Sequence, residues 1–172
     1  MKLKAKLIST IAAFAMVLCL TIVGVWAAAT VTVSVTGTVS YTATDVDATV
    51  TGSITGITEE GKSFTKTFNA ASTENSGAWD LSNITFVKNQ DVVITLTVKN
   101  NSTERPLQAT LANNGEATGT NTTAALGETT TSTIAAGGDK TASFTFTIKV
   151  TDWNKTASYG INLMLTLNNQ AA

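Results

Sequence analysis

Apolar and hydroxyl side chains alternate along most of this chain, and that alternation is what most restricts its fold. The sequence has 34 threonines among 172 residues and a single proline. Threonine is branched at Cβ, so it fits a pleated strand and loses rotamer freedom in a helix. Disorder requires few β-branched residues and low hydrophobicity, whereas 43% of these residues are hydrophobic. The chain is therefore expected to form β-sheet.

Runs with apolar residues at every second position predict strands that turn one face toward a core. The clearest runs lie at 91–100, 142–151 and 158–168. Weaker runs lie at 30–44, 49–57, 63–69, 79–86 and 107–111. Seven to nine short strands without a helical period predict an all-β fold with two antiparallel sheets packed as a sandwich. A jelly roll is the preferred topology, with an immunoglobulin-like sandwich left open because periodicity does not separate the two.

One long segment lacks this alternation. Residues 113–133 are rich in Thr, Asn and Gly and contain few large apolar side chains. The segment is expected to be an exposed loop that holds at most a strand fragment, and a loop of this length is either functional or a tolerated insertion.

The first 29 residues have the organisation of a signal peptide. Three lysines precede an apolar stretch at 7–25, and Ala27, Ala28 and Ala29 form a small-residue cleavage site. Cleavage after Ala27 or Ala29 would leave a mature chain that begins at residue 28 or 30 and holds a single domain at 30–172. The apolar stretch is also long enough to span a bilayer, so an uncleaved anchor is the alternative. In both cases we expect a secreted or cell-surface domain that meets the membrane only through this segment.

Charge and cysteine content restrict the partners of the mature domain. Without the three lysines of the signal peptide its formal net charge is −4, and its basic residues are scattered singly. Nucleic acid and anionic membrane surfaces are therefore not expected partners, because neither finds a basic cluster. The one cysteine, Cys19, lies in the signal peptide, so the mature domain has no disulfide. This mildly favours a bacterium that secretes directly to the outside.

The sequence offers little for catalysis, metals or cofactors. It contains no histidine, which excludes Ser-His-Asp triads and the usual zinc sites. Asp45 and Asp47 share a strand face, but the further ligands of a calcium loop do not follow them. We therefore predict that the protein is not an enzyme and has neither a metal site nor a cofactor. Trp79 and Trp153 each follow a turn signal, where an indole either binds a sugar at a loop rim or plugs the sandwich.

Three stretches resemble the TasA/camelysin family of bacterial biofilm-fibre and surface proteins. The first is Gly-Val-Trp-Ala-Ala at 24–28, and the second is a strand, polar turn and strand at 81–102 that ends in Asn-Asn-Ser. The third is Tyr159-Gly160, which opens a last strand that ends at Asn169-Gln170. The resemblance covers the signal peptide and about half of the mature chain. Two departures are Lys-Asn-Gln-Asp at 88–91 in place of Pro-Gly, and 113–133 in place of a longer insertion.

The resemblance implies an exported structural subunit of an extracellular fibre or biofilm matrix, released by a dedicated signal peptidase. Its partners would be other copies of itself, joined by donor-strand exchange. The expected donor segment is 30–36, with Thr30, Val31, Val33 and Val35, although the same strand can equally pair within its own domain. The metallopeptidase activity described for camelysin-like members is not carried over, because histidine is absent. The alternative function is a monomeric cell-surface module that binds carbohydrate or protein.

Overall fold

The computed structural model describes residues 33–59, 62–71, 76–114 and 119–170. These ranges contain β-strands and no helix, so none of the described residues belongs to a helix able to cross a membrane. The strands are β1 (Val33–Thr44), β2 (Ala48–Thr55), β3 (Ser63–Phe68), β4 (Ser76–Asp80), β5 (Ile84–Thr85), β6 (Val92–Asn100), β7 (Leu107–Asn113), β8 (Thr122–Leu126), β9 (Thr131–Ile134), β10 (Thr141–Val150) and β11 (Ala157–Asn169).

The strands form two sheets that pack against each other. The first sheet has six strands in the order β4-β1-β11-β7-β9, with β5 also paired to β1. The second has five strands in the order β3-β2-β6-β10-β8. From β5 to β11 every step along the chain moves to the opposite sheet, so consecutive strands contribute alternately to the two sides of one core.

The core follows directly from the two-residue alternation. In β6 the residues Val92, Ile94, Leu96 and Val98 are at most 1% exposed, while the residues between them face outward. β10 and β11 follow the same pattern, with Phe144 and Phe146 of β10 among the largest buried side chains. Because each buried Val, Leu, Ile or Phe stabilises a fold by about 1.5–3 kcal/mol, these alternating strands supply most of the driving force.

The first and last strands differ from the antiparallel arrangement predicted from the sequence. β1 pairs with β11 in parallel, from Val33 opposite Ala157 to Thr44 opposite Asn168. Parallel neighbours require a crossover connection, and here the whole chain between the two strands provides it. Alternation within a strand reports which face is buried but carries no information about the direction of a distant partner. All other paired strands among the described residues are antiparallel.

The predicted loop at 113–133 is also corrected. Its described part contains β8 and most of β9, which pair with β10 and β7 at the margins of the two sheets. Leu126 packs against the core and Ile134, which ends β9, is 3% exposed. An edge strand has one neighbour and needs few apolar contacts, so a Thr-rich sequence can form one without clear alternation.

The run predicted at 79–86 is divided by a turn. β4 ends at Asp80, whose Oδ1 accepts the backbone N–H of Ser82 at 2.9 Å. Asn83 follows in a left-handed conformation, with φ of 57°. Asp and Asn favour such turns because their side chains bond to nearby backbone and tolerate positive φ. Two successive strands therefore pair with β1, first β4 and then the two-residue β5.

Asn100 joins the two sheets at one end of the sandwich. Its side chain is 1% exposed, and its Oδ1 accepts the backbone N–H of Ser102 at 3.0 Å. Its Nδ2 donates to the carbonyl oxygens of Arg105, Ile134 and Ala135 at 2.9–3.2 Å. Asn100 belongs to the second sheet and Ile134 to the first, so this amide satisfies backbone groups from both sides of the core.

Candidate functional site

The first four described residues of β1, Val33–Thr36, form an N-terminal segment held between β5 and β11. On one side Ser34 and Val35 pair antiparallel with Thr85 and Ile84. On the other side the segment runs parallel to the start of β11, with Val35 opposite Tyr159. The backbone N–H of Phe86 also donates to the carbonyl of Val33 at 3.2 Å. We call the space between β5 and β11 that holds this segment the strand slot.

Apolar side chains fill the strand slot. Val33 and Val35 are 5% and 0% exposed, and Ile84 and Tyr159 beside them are also buried. The Tyr159 ring lies 5.9 Å from that of Phe146 in the opposite sheet. Burial raises the pKa of the Tyr159 hydroxyl, and the side chain of Asn113 opposes that rise. Two buried valines contribute about 1.5–3 kcal/mol each, so an empty slot would expose a substantial part of the core.

Gly37 separates the N-terminal segment from the rest of β1. Its φ is 140°, a conformation that side-chain-bearing residues rarely adopt. Its carbonyl accepts the N–H of Leu81 at 2.9 Å. Before Gly37 the antiparallel neighbour of β1 is β5, and from Thr38 onward it is β4. β1 is thus continuous in its pairing with β11 but has two different neighbours on its other side.

The chain after β2 holds the outer side of β5. Both carboxylate oxygens of Glu59 accept the backbone N–H of Thr85 at 3.0 Å, and the N–H of Thr58 donates to the Thr85 carbonyl at 3.0 Å. Ile57 and Phe86 form a further bridge. Partial burial by itself raises the pKa of Glu59, but the hydrogen bonds from Thr85 and Thr58 outweigh it and leave that pKa lowered. Glu59 therefore supports, from outside, the short strand that forms one wall of the slot.

The structure places only part of the predicted donor segment. Val33 and Val35 pair within their own domain, which was one of the two alternatives for this strand. Thr30 and Val31 lie outside the described residues, as do the predicted cleavage-site residues Ala27, Ala28 and Ala29. The alternation of Val33 and Val35 indicated a strand, whereas nothing in the sequence indicated that Glu59 and β5 would form its surroundings.

The two tryptophans proposed as a ligand rim pack inward to different extents. Trp79 is 7% exposed and its ring centroid lies 4.9 Å from that of Phe64. This burial leaves little of the indole for a sugar and favours the plug interpretation. Trp153 is half-buried, with its ring edge-on to Phe86 at 6.4 Å beside the strand slot. The two indoles do not form one surface, because each belongs to a separate aromatic cluster.

Asp45 and Asp47 lie at the opposite end of β1, by a surface cavity of about 280 Å³. Asp45 pairs with Arg105 at 3.3 Å, and Asp47 accepts the backbone N–H of Ala70 at 3.0 Å. Within the part of the chain that the structure describes, no three acidic or thiol side chains gather as metal ligands would. The two carboxylates tie neighbouring loops together at this end.

No protein-family model matches the chain, and no curated protein matches it either.

Proposed function

We propose that this protein is an exported structural subunit of an extracellular fibre or biofilm matrix, and that copies join by exchanging their N-terminal strands. The proposal includes a signal peptide that a signal peptidase removes, and a jelly-roll topology. Alternation of consecutive strands between the two sheets from β5 to β11 supports that topology. Export is supported by the composition of residues 1–29.

The observation that carries the proposal is the place of Val33–Thr36 in the sheet. This segment lies inside the sheet, with β5 paired on one side and β11 on the other. Its valines are buried and Gly37 separates it from the remainder of β1. After removal of the signal peptide this segment would lie close to the start of the chain, and its apolar plugs and glycine boundary would let it leave its own slot and enter another.

Exchange between copies would keep the contacts seen in the single chain. In domain swapping an element makes the same bonds to a second copy that it made within its own domain, so the contacts cost little to replace. An incoming strand gains affinity from main-chain hydrogen bonds and specificity from alternate side chains in pockets, here Val33 and Val35. Each subunit would donate one segment and accept one, which gives an open chain of subunits.

The first experiment compares the chain 28–172 with a shortened chain that begins at Gly37. Both are purified and studied by electron microscopy and sedimentation velocity. We expect filaments from the longer chain and none from the chain 37–172, because the latter cannot donate. A synthetic peptide of residues 28–36 should bind the shortened chain and raise its melting temperature, since it refills the empty slot.

A matched control separates loss of the strand from loss of folding. The double variant Val33→Asp, Val35→Asp in the peptide should abolish its binding, because two carboxylates cannot enter an apolar slot. Monomers from the chain 28–172 at every concentration tested would contradict the fibre proposal. That outcome would favour the monomeric surface-binding module, with ligand screening as the next step.

A further inference from the structure

The sequence contains five Asn-X-Ser/Thr sequons, the triplet at which a secreted protein can receive an N-linked glycan. Their asparagines are Asn83, Asn100, Asn101, Asn121 and Asn154. A chain rich in Asn and Thr produces such triplets by chance, so the pattern alone selects none of them. An oligosaccharyltransferase must reach the side-chain amide and bind the triplet as an extended segment. The fold therefore decides which of the five can be an acceptor.

Three of these side-chain amides hold segments of the domain together. The Asn100 side chain is 1% exposed and its Nδ2 donates to three backbone carbonyls. Half-buried Asn101 donates through Nδ2 to Thr49 Oγ1 at 2.9 Å. Asn121, also half-buried, donates through Nδ2 to the carbonyl of Thr156 at 2.8 Å. A sugar on any of these nitrogens would compete with a bond that the folded domain uses.

Asn83 is exposed, but the rest of its triplet is built into β5. Ile84 is 0% exposed, and Thr85 pairs with Ser34 of β1. On the outer side the backbone N–H of Thr85 donates to both carboxylate oxygens of Glu59 at 3.0 Å. An enzyme could bind this triplet only after pulling β5 out of the sheet, so the folded domain withholds it.

Asn154 lies in the loop between β10 and β11, which comprises residues 151–156. Asn154, Lys155 and Thr156 are all exposed. Oδ1 of Asp152 accepts the backbone N–H of Asn154 at 2.9 Å, and the carbonyl of Asp152 accepts that of Lys155 at 3.3 Å. These two bonds form a tight turn that leaves the whole triplet at the surface and outside the sheets.

The rest of the domain anchors this loop. The carbonyl of Asn121 accepts the N–H of Thr151 at 2.9 Å, and its Nδ2 donates to the carbonyl of Thr156 at 2.8 Å, so one residue holds both ends of the loop. Trp153 is half-buried and packs edge-on against Phe86 at 6.4 Å. The loop is therefore fixed at its ends and from beneath, while its polar tip faces solvent.

Only the triplet at Asn154 has an acidic residue at the second position before its asparagine. That residue is Asp152, and at the same spacing the other four asparagines follow Leu81, Val98, Lys99 and Gly119. Bacterial oligosaccharyltransferases recognise a carboxylate at this position in addition to the triplet. The Asp152 side chain is 34% exposed and pairs with Lys155 at 3.3 Å. A surface ion pair of this kind contributes little to stability, so it can exchange for a cation of the enzyme.

We propose that Asn154 is the acceptor of an N-linked glycan, with Asp152 as the acidic residue that the transferase recognises. The donor would be an oligosaccharide carried on a polyprenyl diphosphate. A bond forms between Nδ2 of Asn154 and the anomeric carbon of the first sugar, while the bond from that carbon to the diphosphate oxygen breaks. Nδ2 loses one proton, which leaves with the lipid diphosphate. The proposal rests on the proposed export, because such transferases act on the non-cytoplasmic side of a membrane, but it does not depend on fibre assembly.

Peptide mass spectrometry of the protein secreted by its own cells tests the site. The peptide that contains Asn154 should carry the added mass of an oligosaccharide, and the peptides that contain the other four asparagines should not. An exported chain with unmodified Asn154 would overturn the glycan and leave the fibre proposal intact. A full chain retained in the cytoplasm would overturn the export on which both proposals rest.

Substitutions of the third residue of the triplet, made in the full chain, assign the modification. Thr156→Ser keeps the hydroxyl and should keep the glycan, whereas Thr156→Val should lose it. The matched control Thr123→Val removes the hydroxyl of the Asn121 triplet, also from an exposed threonine, and should leave the glycan unchanged. Loss of the glycan in both valine variants, or in neither, would overturn the assignment to Asn154.

Asp152→Asn separates the charge of this residue from its role in the turn. An asparagine there keeps a side-chain oxygen that can accept the N–H of Asn154, so the loop should fold as before. The variant should lose most of the glycan, because the transferase no longer finds a carboxylate. Occupancy equal to that of the unchanged chain would overturn the role of Asp152. Far-UV circular dichroism of the secreted variants distinguishes a lost glycan from a lost fold.

Discussion

Gly37 lies against the backbone of Ile161 so closely that a Cβ atom on Gly37 would be 2.0 Å from the Ile161 carbonyl oxygen. Carbon atoms do not approach a backbone oxygen at that distance, and the oxygen cannot move without breaking the β1–β11 pairing. The glycine is thus required twice, once for its φ of 140° and once for the space it leaves.

Gly37→Ala should destabilise the domain by at least about 3 kcal/mol, because it combines backbone strain with a steric clash. Gly137 is a matched control, since its φ is 136° but the nearest atom to an added Cβ is 3.6 Å away. Gly137→Ala should therefore cost only about 1–2 kcal/mol, the strain alone. Urea denaturation of both variants measures the difference. Equal losses would show that the contact with Ile161 relaxes easily.

Asn100→Asp should be among the most damaging single changes in the domain. A carboxylate there would face the carbonyl oxygens of Arg105 and Ile134 in place of the Nδ2 donor, at 1% exposure. We expect a loss of about 3 kcal/mol or more at pH 7, partly regained in acid as the carboxyl becomes protonated. Asn101→Asp is the control, because Asn101 is half-buried and its Nδ2 donates only to Thr49 Oγ1 among the described hydrogen bonds. Thermal melts at pH 7 and pH 4 separate the two variants.

Glu59 should make the stability of the domain depend on acid pH. Burial alone raises the pKa of this carboxyl, but the donors of Thr85 and Thr58 lower it overall, so its folded pKa lies below the ordinary 4.5. Such a group stabilises the fold above pH 4.5, and its contribution disappears as the pH falls through the folded pKa. Glu59→Gln should show a smaller fall in melting temperature between pH 6 and pH 3 than the unchanged protein. If the melting temperatures of Glu59→Gln and the unchanged protein fall equally with pH, Glu59 does not contribute to the acid dependence of stability.

Trp79 and Trp153 should differ in both stability and solvent access. Trp79→Ala should cost about 3–5 kcal/mol, since it removes a buried ring packed on Phe64, and Trp153→Ala should cost less. Trp79→Phe and Trp153→Phe leave one indole each in the chain 28–172. Acrylamide should quench the fluorescence of Trp153 more strongly than that of Trp79. Equal quenching would contradict the burial of Trp79.

The sequence was most informative where a strand is buried on one face and flanked by partners on both sides. β6, β10 and β11 were predicted close to their observed bounds, because each turns four or more large apolar side chains toward the core. Short edge strands such as β8 gave no comparable signal, since they contribute little apolar surface. The two-residue β5 is defined by its neighbours and could not be found from its own residues.

The alternation pattern does not predict which distant strands become neighbours in the fold. From the sequence, Asn100 is expected to be the first residue of a polar turn. It is buried and bonded to Ile134 only because the end of β6 lies beside the end of β9 in the folded domain. The same holds for the strand slot, where Val35 was a strand residue in sequence but its parallel partner Tyr159 lies 124 positions away. Such positions depend on which distant elements become neighbours.

The parallel pairing of β1 with β11 also fixes where the two ends of the domain emerge. Val33 lies beside Ala157 and Thr44 beside Asn168, so the chain enters at one end of the sandwich and β11 finishes at the other, about 40 Å away at about 3.3 Å per residue. A reporter fused after the last strand would therefore project away from the entering segment and leave it unobstructed. In a string of subunits it would decorate every repeat on the same side, and would show the polarity of the string directly.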